Sequence, residues 1–600
     1  MTPEAPADQP VADDPALIRL ARRIPQPIIA VLAVVAVMLG VVLFVRPTTA
    51  LGVLALLIGA GLVLGGLLEL LFPAVRRGSV RMLLAIALMI TGVVVLVLPG
   101  LTVRAVAIIV GVTLIVRGAI GVSAIVTGRE QPADRRVAEV LLGLAGIAFG
   151  ILAIVWPDIT LLVVAAVFGA TLAIAGIAAL WRMLRSRRRH PRAPRRDTVV
   201  RRWMRTIGAV SAVLLAAGAV VTSIALRGGT PVVDDFYAAP RTVPGEPGEL
   251  IRAEPFTRGV PKDAVGWRIL YTTTHGDGSA AVASGIVVAP KTDGDHPAIA
   301  WHHGTTGFAQ ACAPSLASDP FGSGAMFVVD DIVRNGWALV ATDYIGLGTE
   351  GPHPYLIGQD SARAELDAVR AARQLDGARL SDQTVAWGHS QGGGAALWST
   401  VIAEDYAPDV PLSGTVALAP ASDLNGLVEH LPEVTGGSVF ASFVISAYSD
   451  VYPDVAFDEY IRAGADVTVR QMAGRCLAAP DMLVSVLTVL ALSDDPNILA
   501  QSPNTGPLGS RLTKNIPPAP PADTPVLLGQ GGADTLVDPD MQLLYAAKTC
   551  AAGGDVDYRD YAGYGHVDLA EQHSPAIADA LAWTADRLAG KAAPRACDQG

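Results

Sequence analysis

Lysine and cysteine are both missing from the first 226 residues. That stretch carries 23 arginines and 10 acids, a net +13, and most of these lie between long runs of Ala, Val, Leu, Ile and Gly rather than within them. Helices of a water-soluble domain need a polar face, which these runs do not offer. At about 20 residues each they have the length that crosses a bilayer core of roughly 30 Å. Residues 227–600 are short of the opposite charge, with 22 Lys plus Arg against 45 acids, a net −23. An acidic domain of this kind excludes nucleic acid as a partner, because phosphate backbones are bound by basic faces. The chain also lacks any His/Cys/Asp/Glu cluster with ligand spacing and the glycine patterns that cradle nucleotide phosphates. Neither a metal nor a cofactor is therefore expected. The four cysteines, Cys312, Cys476, Cys550 and Cys597, are confined to the acidic part. An even number there points to disulfides in an oxidising compartment, with three pairings open.

Seven apolar segments fall at about 26–45, 49–71, 81–98, 102–127, 138–156, 159–180 and 206–226. The first follows Arg19, Arg22 and Arg23 and leads into further spans instead of a small-residue cleavage site, so it reads as an anchor and not a removed signal. Arginines gather in the amino-terminal tail, around Arg76, Arg77 and Arg81, around Arg129, Arg135 and Arg136, and above all between 182 and 205. The alternate loops hold Arg46, Arg104 and, around Asp158, no cation. By the positive-inside rule the tail (1–25) and the Arg-rich loop are cytoplasmic, and seven crossings put the acidic domain outside a cytoplasmic membrane. The cysteines, which play no part in that derivation, agree with it.

The first six spans repeat. Gly40, Gly92 and Gly150 each stand seven residues before Pro47, Pro99 and Pro157, and each proline is followed at +12 by Gly59, Gly111 and Gly169 and at +19 by Gly66, Gly118 and Gly176. Such spacing predicts hairpins with a proline turn at the outer face, whose glycines let helices approach closely. The pattern, over residues 26–181, resembles the HdeD-type acid-resistance membrane family of short repeated hairpins. Glu69 and Arg117 lie near the cytoplasmic ends, where snorkelling accounts for them. The expected role is an anchor, with the Arg-rich loop setting topology and touching anionic headgroups.

After a Pro/Gly linker at 227–245, short apolar runs alternate with helical patterns: SGIVVAP, HPAIAWHHG, GWALVATDY, TVAWGHS, SGTVALAP and TPVLLGQGG read as strands. The alternation predicts a mostly parallel sheet covered by helices. In TVAWGHSQGGGAALW the strand runs into Gly388-His389-Ser390-Gln391-Gly392 and a helix follows, the setting that lifts a nucleophilic serine onto a tight turn whose crowding Gly388 and Gly392 relieve. A serine needs a base and an orienting acid. Asp534, on the loop after TPVLLGQ, and His566, after a strand and before the last helix, follow Ser390 in the order this architecture demands. Asp538 and Asp540 lie beyond the same loop, and Asp538, beside Pro539, helps start the next helix; His573 falls in the last helix pattern, His430 in a cap, and His389 shapes the turn. The oxyanion donors are expected to be the backbone N–H groups of Gln391 and of Thr305, with Gly304 next in line, on the loop HHGTTG.

From residue 246 to the end, PGELIRAEPF, HHGTTGFAQACAPS, DYIGLGTEGPHPYLIG and GHSQGG together resemble the secretory lipase family of the α/β-hydrolase fold. The resemblance implies catalytic roles for Ser390, Asp534 and His566. It also favours pairing Cys312 with Cys476 and Cys550 with Cys597. Residues 421–522 interrupt the sheet pattern with apolar helices and are expected to form a cap that binds acyl chains. The expected protein is a multi-span helical membrane domain followed by an α/β-hydrolase with a helical cap, hydrolysing lipid or other acyl esters outside the membrane. The same triad could serve acyl transfer or peptide cleavage. A membrane stress-response protein whose outer domain only binds ligand is the reading from another class, and the presence of all three triad residues speaks against it.

Overall fold

The computed structural model describes residues 26–71, 79–97, 99–127, 133–185, 199–322, 324, 326–492, 498–594 and 597. The tail 1–25, the loops bearing Arg76, Arg77 and Arg129, and residues 186–198 of the Arg-rich loop lie outside the described residues.

Among the described residues, seven helices build the membrane part: α1 Gln26–Val45, α2 Pro47–Leu71, α3 Ser79–Val97, α4 Pro99–Thr127, α5 Ala133–Val155, α6 Pro157–Arg185 and α7 Val199–Gly228. Six are long and apolar enough to cross a membrane, and α3 is apolar over Ala85–Val97. Helices α2, α4 and α6 begin at the prolines, two or three residues earlier than the apolar runs suggest, because proline's fixed φ and missing N–H suit a first helical position. Helix α5 extends back over Arg135 and Glu139, which pair at 3.0 Å across one turn.

The glycines do not pack the two helices that flank one proline. They join neighbouring repeats. A Cβ on Gly92 would stand 2.8 Å from the Gly59 carbonyl, one on Gly150 2.7 Å from that of Gly111, and one on Gly40 2.7 Å from that of Gly169. Each glycine before a proline therefore meets the +12 glycine of another repeat, and the third repeat closes back onto the first. The result is a ring with approximate threefold symmetry, α1 against α6, α2 against α3, α4 against α5. On its axis the +4 side chains Leu51, Val103 and Leu161 and the +8 side chains Ala55, Ala107 and Ala165 form two fully buried layers.

The remainder is a nine-stranded sheet in the order β1-β2-β3-β5-β4-β6-β7-β8-β9. β1 (Leu250–Phe256), β2 (Ala264–Thr274) and β3 (Ala280–Pro290) are antiparallel to their neighbours. β5 (Ala338–Ile345), β4 (His296–His302), β6 (Leu380–His389), β7 (Leu412–Leu418), β8 (Val526–Gly531) and β9 (Val556–Tyr561) run parallel. Helices α8 (Val329–Arg334), α9 (Gly358–Ala372), α10 (Gln391–Tyr406), α17 (Pro539–Ala551) and α18 (Pro575–Leu588) cover it. The parallel strands are buried on both faces, so they read as apolar runs instead of alternating. Between β7 and β8 lie α11 (Leu424–His430), α12 (Gly437–Val451), α13 (Phe457–Tyr460), α14 (Asp466–Ala473), α15 (Met482–Ala491) and α16 (Gly506–Lys514), which share an apolar cluster around Phe443, Tyr448 and Leu508.

This cap rests on the proline-turn end of the ring. Val467 of α14 joins the axial layers of the repeats. Asp466 takes a two-point ion pair from Arg104 at 2.6 and 2.8 Å, Arg462 donates to the Thr48 hydroxyl at 2.7 Å, and Arg475 pairs with Asp158 at 2.7 Å. The Pro/Gly linker at 227–245 packs onto the hydrolase through buried Phe236 and Tyr237, with Arg268 stacked 4.2 Å from the Phe236 ring.

Candidate active site

Ser390 sits between β6 and α10 with φ 59° and ψ −121°, the left-handed region that costs a non-glycine residue about 1–3 kcal/mol. The turn is as crowded as its glycines suggest. A Cβ on Gly388 would lie 2.0 Å from the Gly392 carbonyl, and one on Gly392 1.9 Å from the His302 carbonyl. Parallel pairing of β6 with β4 and β7 holds the elbow rigidly, and the Ser390 N–H donates to the Leu418 carbonyl at 3.0 Å.

The Ser390 Oγ lies 2.8 Å from His566 Nε2, and His566 Nδ1 lies 2.7 Å from Asp534 Oδ2. The other Asp534 oxygen accepts the N–H groups of Leu536 and Val537, each at 2.9 Å, and Gln530 Nε2 donates to Oδ2 at 3.2 Å. Burial pushes this carboxyl upward, but the His566 hydrogen bond and charge and the two backbone donors outweigh it and hold the pKa below the usual carboxylate range. Asp538 caps α17 through the Asp540 N–H at 2.9 Å. His430 reaches the Thr535 carbonyl at 3.3 Å. His573 lies in an exposed turn before α18, not within a helix, because Ser574 caps that helix and Pro575 opens it.

His389 does more than fill the turn. Its Nε2–H donates to the backbone carbonyl of His566 at 2.8 Å, and the two rings face each other with centroids 4.7 Å apart. Burial, followed by the nearby His566, lowers its pKa to about 3, so it is a neutral donor that fixes the loop carrying the other imidazole. No local spacing signals this contact across 177 residues.

Gln391 is the first residue of α10, where N–H groups have no intrahelical partner. Across the site, Gly304 spends its N–H on the Gly324 carbonyl at 2.9 Å, which leaves Thr305, its hydroxyl 2.9 Å from the Tyr355 hydroxyl, as the better placed of the two expected donors. This loop is held from several sides. Tyr344 of β5 donates to the His303 carbonyl at 3.1 Å, and Leu477 N–H donates to the Thr306 carbonyl at 2.8 Å. Cys312 and Cys476 are bonded with their Cα atoms 5.1 Å apart beside Gly307, and Cys550 and Cys597 pair with Cα atoms 5.5 Å apart. Thr305, Tyr355, Leu427, Phe440, Val444 and Val537 close over Ser390, leaving only about 20 Å³, room for little more than a water molecule.

A serine elbow at the carboxyl ends of a mostly parallel sheet, followed in order by an acid and a histidine that line up with it, defines the α/β-hydrolase class. Residues 323–595 match the secretory lipase family, and residues 31–82, 83–150 and 141–224 match the short repeat of unknown function DUF308. The chain thus joins a secretory lipase domain to DUF308 membrane repeats. It is 27% identical over 392 residues to a Mycobacterium tuberculosis protein described as a probable inactive lipase, across 60% of this chain and 83% of that one. Lipase 6 of Candida albicans is 24% identical over 401 residues, covering 61% of this chain and 83% of its own. The crystal structure of Candida antarctica lipase A in its closed state shares the fold at a TM-score of 0.51 and 19% identity, over 61% of this chain and 89% of that one.

Proposed function

We propose that this protein is a membrane-anchored serine ester hydrolase acting on acyl esters, lipids among them, outside the cytoplasmic membrane. The observation that carries the reading is the unbroken line Asp534–His566–Ser390, at 2.7 and 2.8 Å, on a strained elbow. Because one relative is described as inactive, this geometry weighs more than kinship. In the reaction Ser390 Oγ attacks the ester carbonyl while its proton passes to His566 Nε2. The Gln391 and Thr305 N–H groups hold the oxyanion, and Asp534 stabilises the imidazolium. His566 returns the proton to the leaving alcohol, and water then releases the acyl-enzyme by the same route. The slot of about 20 Å³ holds no acyl chain, so α11 and α12 must move before an ester enters.

The proposed organisation is a cytoplasmic tail (1–25), a six-helix ring (26–181), an Arg-rich cytoplasmic loop (182–205), a seventh span (206–226), a packed connector (227–245) and an outer hydrolase domain (246–600) with its cap at about 421–522. Docking of the cap on the proline turns, the ends opposite the basic loops, supports this orientation. The test uses the full chain in detergent micelles with p-nitrophenyl esters of short and long acyl chains. Ser390→Ala should abolish turnover, and turnover that survives the substitution would sink the proposal.

A further inference from the structure

The cap does not merely sit on the repeats, because one of its contacts leads to the catalytic loop. Asp158 stands one residue after Pro157 in the third repeat, wholly buried, and one of its oxygens takes the Arg475 guanidinium at 2.7 Å. Its other oxygen has no hydrogen-bond partner among the described residues. Arg475 is itself buried, reaches Ser485 at 3.3 Å and lies 5.4 Å from the Trp156 ring, so its position is set by residues of the repeat's outer turn and by α15. The next residue, Cys476, is bonded to Cys312, and the one after it, Leu477, donates its N–H to the Thr306 carbonyl at 2.8 Å. A Cβ on Gly307 would meet Cys312 Sγ at 2.5 Å and Cys476 Cα at 3.2 Å, so the loop has no slack against this segment. Asp158 and the peptide unit of Thr306 and Gly307, two units beyond the one that carries the Thr305 N–H, are thus joined through one ion pair, two peptide units and one backbone hydrogen bond.

Resting on the hydrolase reading above, we infer that Asp158 of the membrane ring is a positioning residue for the oxyanion loop, acting through Arg475, so that the repeats are a working part of the active site and not only its anchor. Without the carboxylate, buried Arg475 keeps Ser485 and the more distant Asp481 but no direct ion pair, and must move toward water, taking Cys476 and Leu477 with it. The oxyanion donor then shifts, while the rest of the slot's lining, Leu427 of α11, Phe440 and Val444 of α12 and Val537, stays as it was. Such a shift lowers the rate of the chemical step and not substrate affinity.

The experiment compares full-length D158N with R104Q in micelles. R104Q breaks the Arg104–Asp466 pair, which grips the cap at the start of α14, at the opposite end of that helix from Arg475. For D158N, kcat should fall by about tenfold with KM within about twofold of wild type, and amide hydrogen exchange over residues 303–312 should quicken. R104Q should change neither kcat nor that exchange. Equal effects of the two variants would show general loosening of the cap and overturn the inference, as would a D158N protein unchanged in both readouts. Should D158N fail to fold, R475K, which keeps the cation but loses the fork, takes its place with the same readouts and a smaller loss. If the wild type shows no Ser390-dependent turnover, the hydrolase reading falls, while the exchange measurement still decides whether Asp158 controls the loop.

Discussion

Replacing Asp534 by Asn tests the geometry of the site most sharply, because its surroundings leave the amide no good orientation. In the native site all four donors around the carboxylate point N–H groups at it: Leu536 and Val537 at 2.9 Å, Gln530 at 3.2 Å and His566 at 2.7 Å. An asparagine can offer an oxygen to one side only. If the oxygen stays with the two backbone donors, the NH₂ faces His566 and donates to Nδ1, which forces the imidazole proton onto Nε2, where Ser390 needs a vacant lone pair. If the amide is reversed, two backbone N–H groups abut the NH₂ and the loop is displaced. The first outcome costs less, so the wrong tautomer dominates and kcat should fall by about 10⁴-fold, about 5 kcal/mol of barrier, with little change in KM. Hydrolysis of a p-nitrophenyl ester by the full chain in micelles measures it. Asp538→Asn, which affects only the cap of α17, should stay within about twofold of wild type. D534N retaining a tenth of native turnover would refute the assignment of the acid.

Two further outcomes concern stability. Gly118 faces the Gly143 carbonyl at 2.5 Å from where a Cβ would stand, whereas Gly61 has open space, so Gly118→Ala should lower thermal stability in detergent by about 1–3 kcal/mol and Gly61→Ala should not; equal melting temperatures would refute the ring packing. The pair His275–Asp360, at 2.6 Å, raises the His275 pKa above 6.5 through its hydrogen bond to Asp360, against the opposing effect of burial. A raised folded-state pKa stabilises fully below the unfolded value and loses that contribution as pH climbs through the folded one. The melting temperature should therefore decline over that window in the wild type and decline less in His275→Gln, and parallel curves would exclude the pair as the cause.

Much of the site was legible because it is built from local signals in a fixed order. The GxSxG elbow, the strands before Asp534 and His566 and the chain order of the three residues all lie in the primary sequence. The repeat was legible too, since equal spacing of glycine and proline survives without knowledge of the fold. Which glycine meets which was not: Gly40 and Gly169 are 129 positions apart by number, and the spacing fits packing within a hairpin as well as it fits packing between hairpins. The grip of the repeats on the cap was equally hidden. Asp158 and Arg475 are single charged residues 317 positions apart, and neither carries a pattern around it. From the sequence His389 only shapes the elbow, because its further use depends on where the His566 loop passes.

The ring's symmetry has a consequence at its rim. A threefold socket offers three equivalent places, but a cap made of one chain can present the same face to only one of them. The interior of the ring can remain uniform, and it does, with Leu51, Val103 and Leu161 in one layer and three alanines in the next. The position just after each proline cannot, and there the three copies differ: Thr48 receives Arg462, Gly100 lies beside the Asp466 side chain, and Asp158 takes Arg475. The rim works as a key with three unlike teeth cut on one blank, so rotating the guest by a third of a turn so as to set Asp466 against Asp158 would leave Arg462 facing a glycine and Arg475 without a carboxylate. The repeats supply the socket, and the unlike residues at its rim, Thr48, Arg104 and Asp158, set which way round the cap sits.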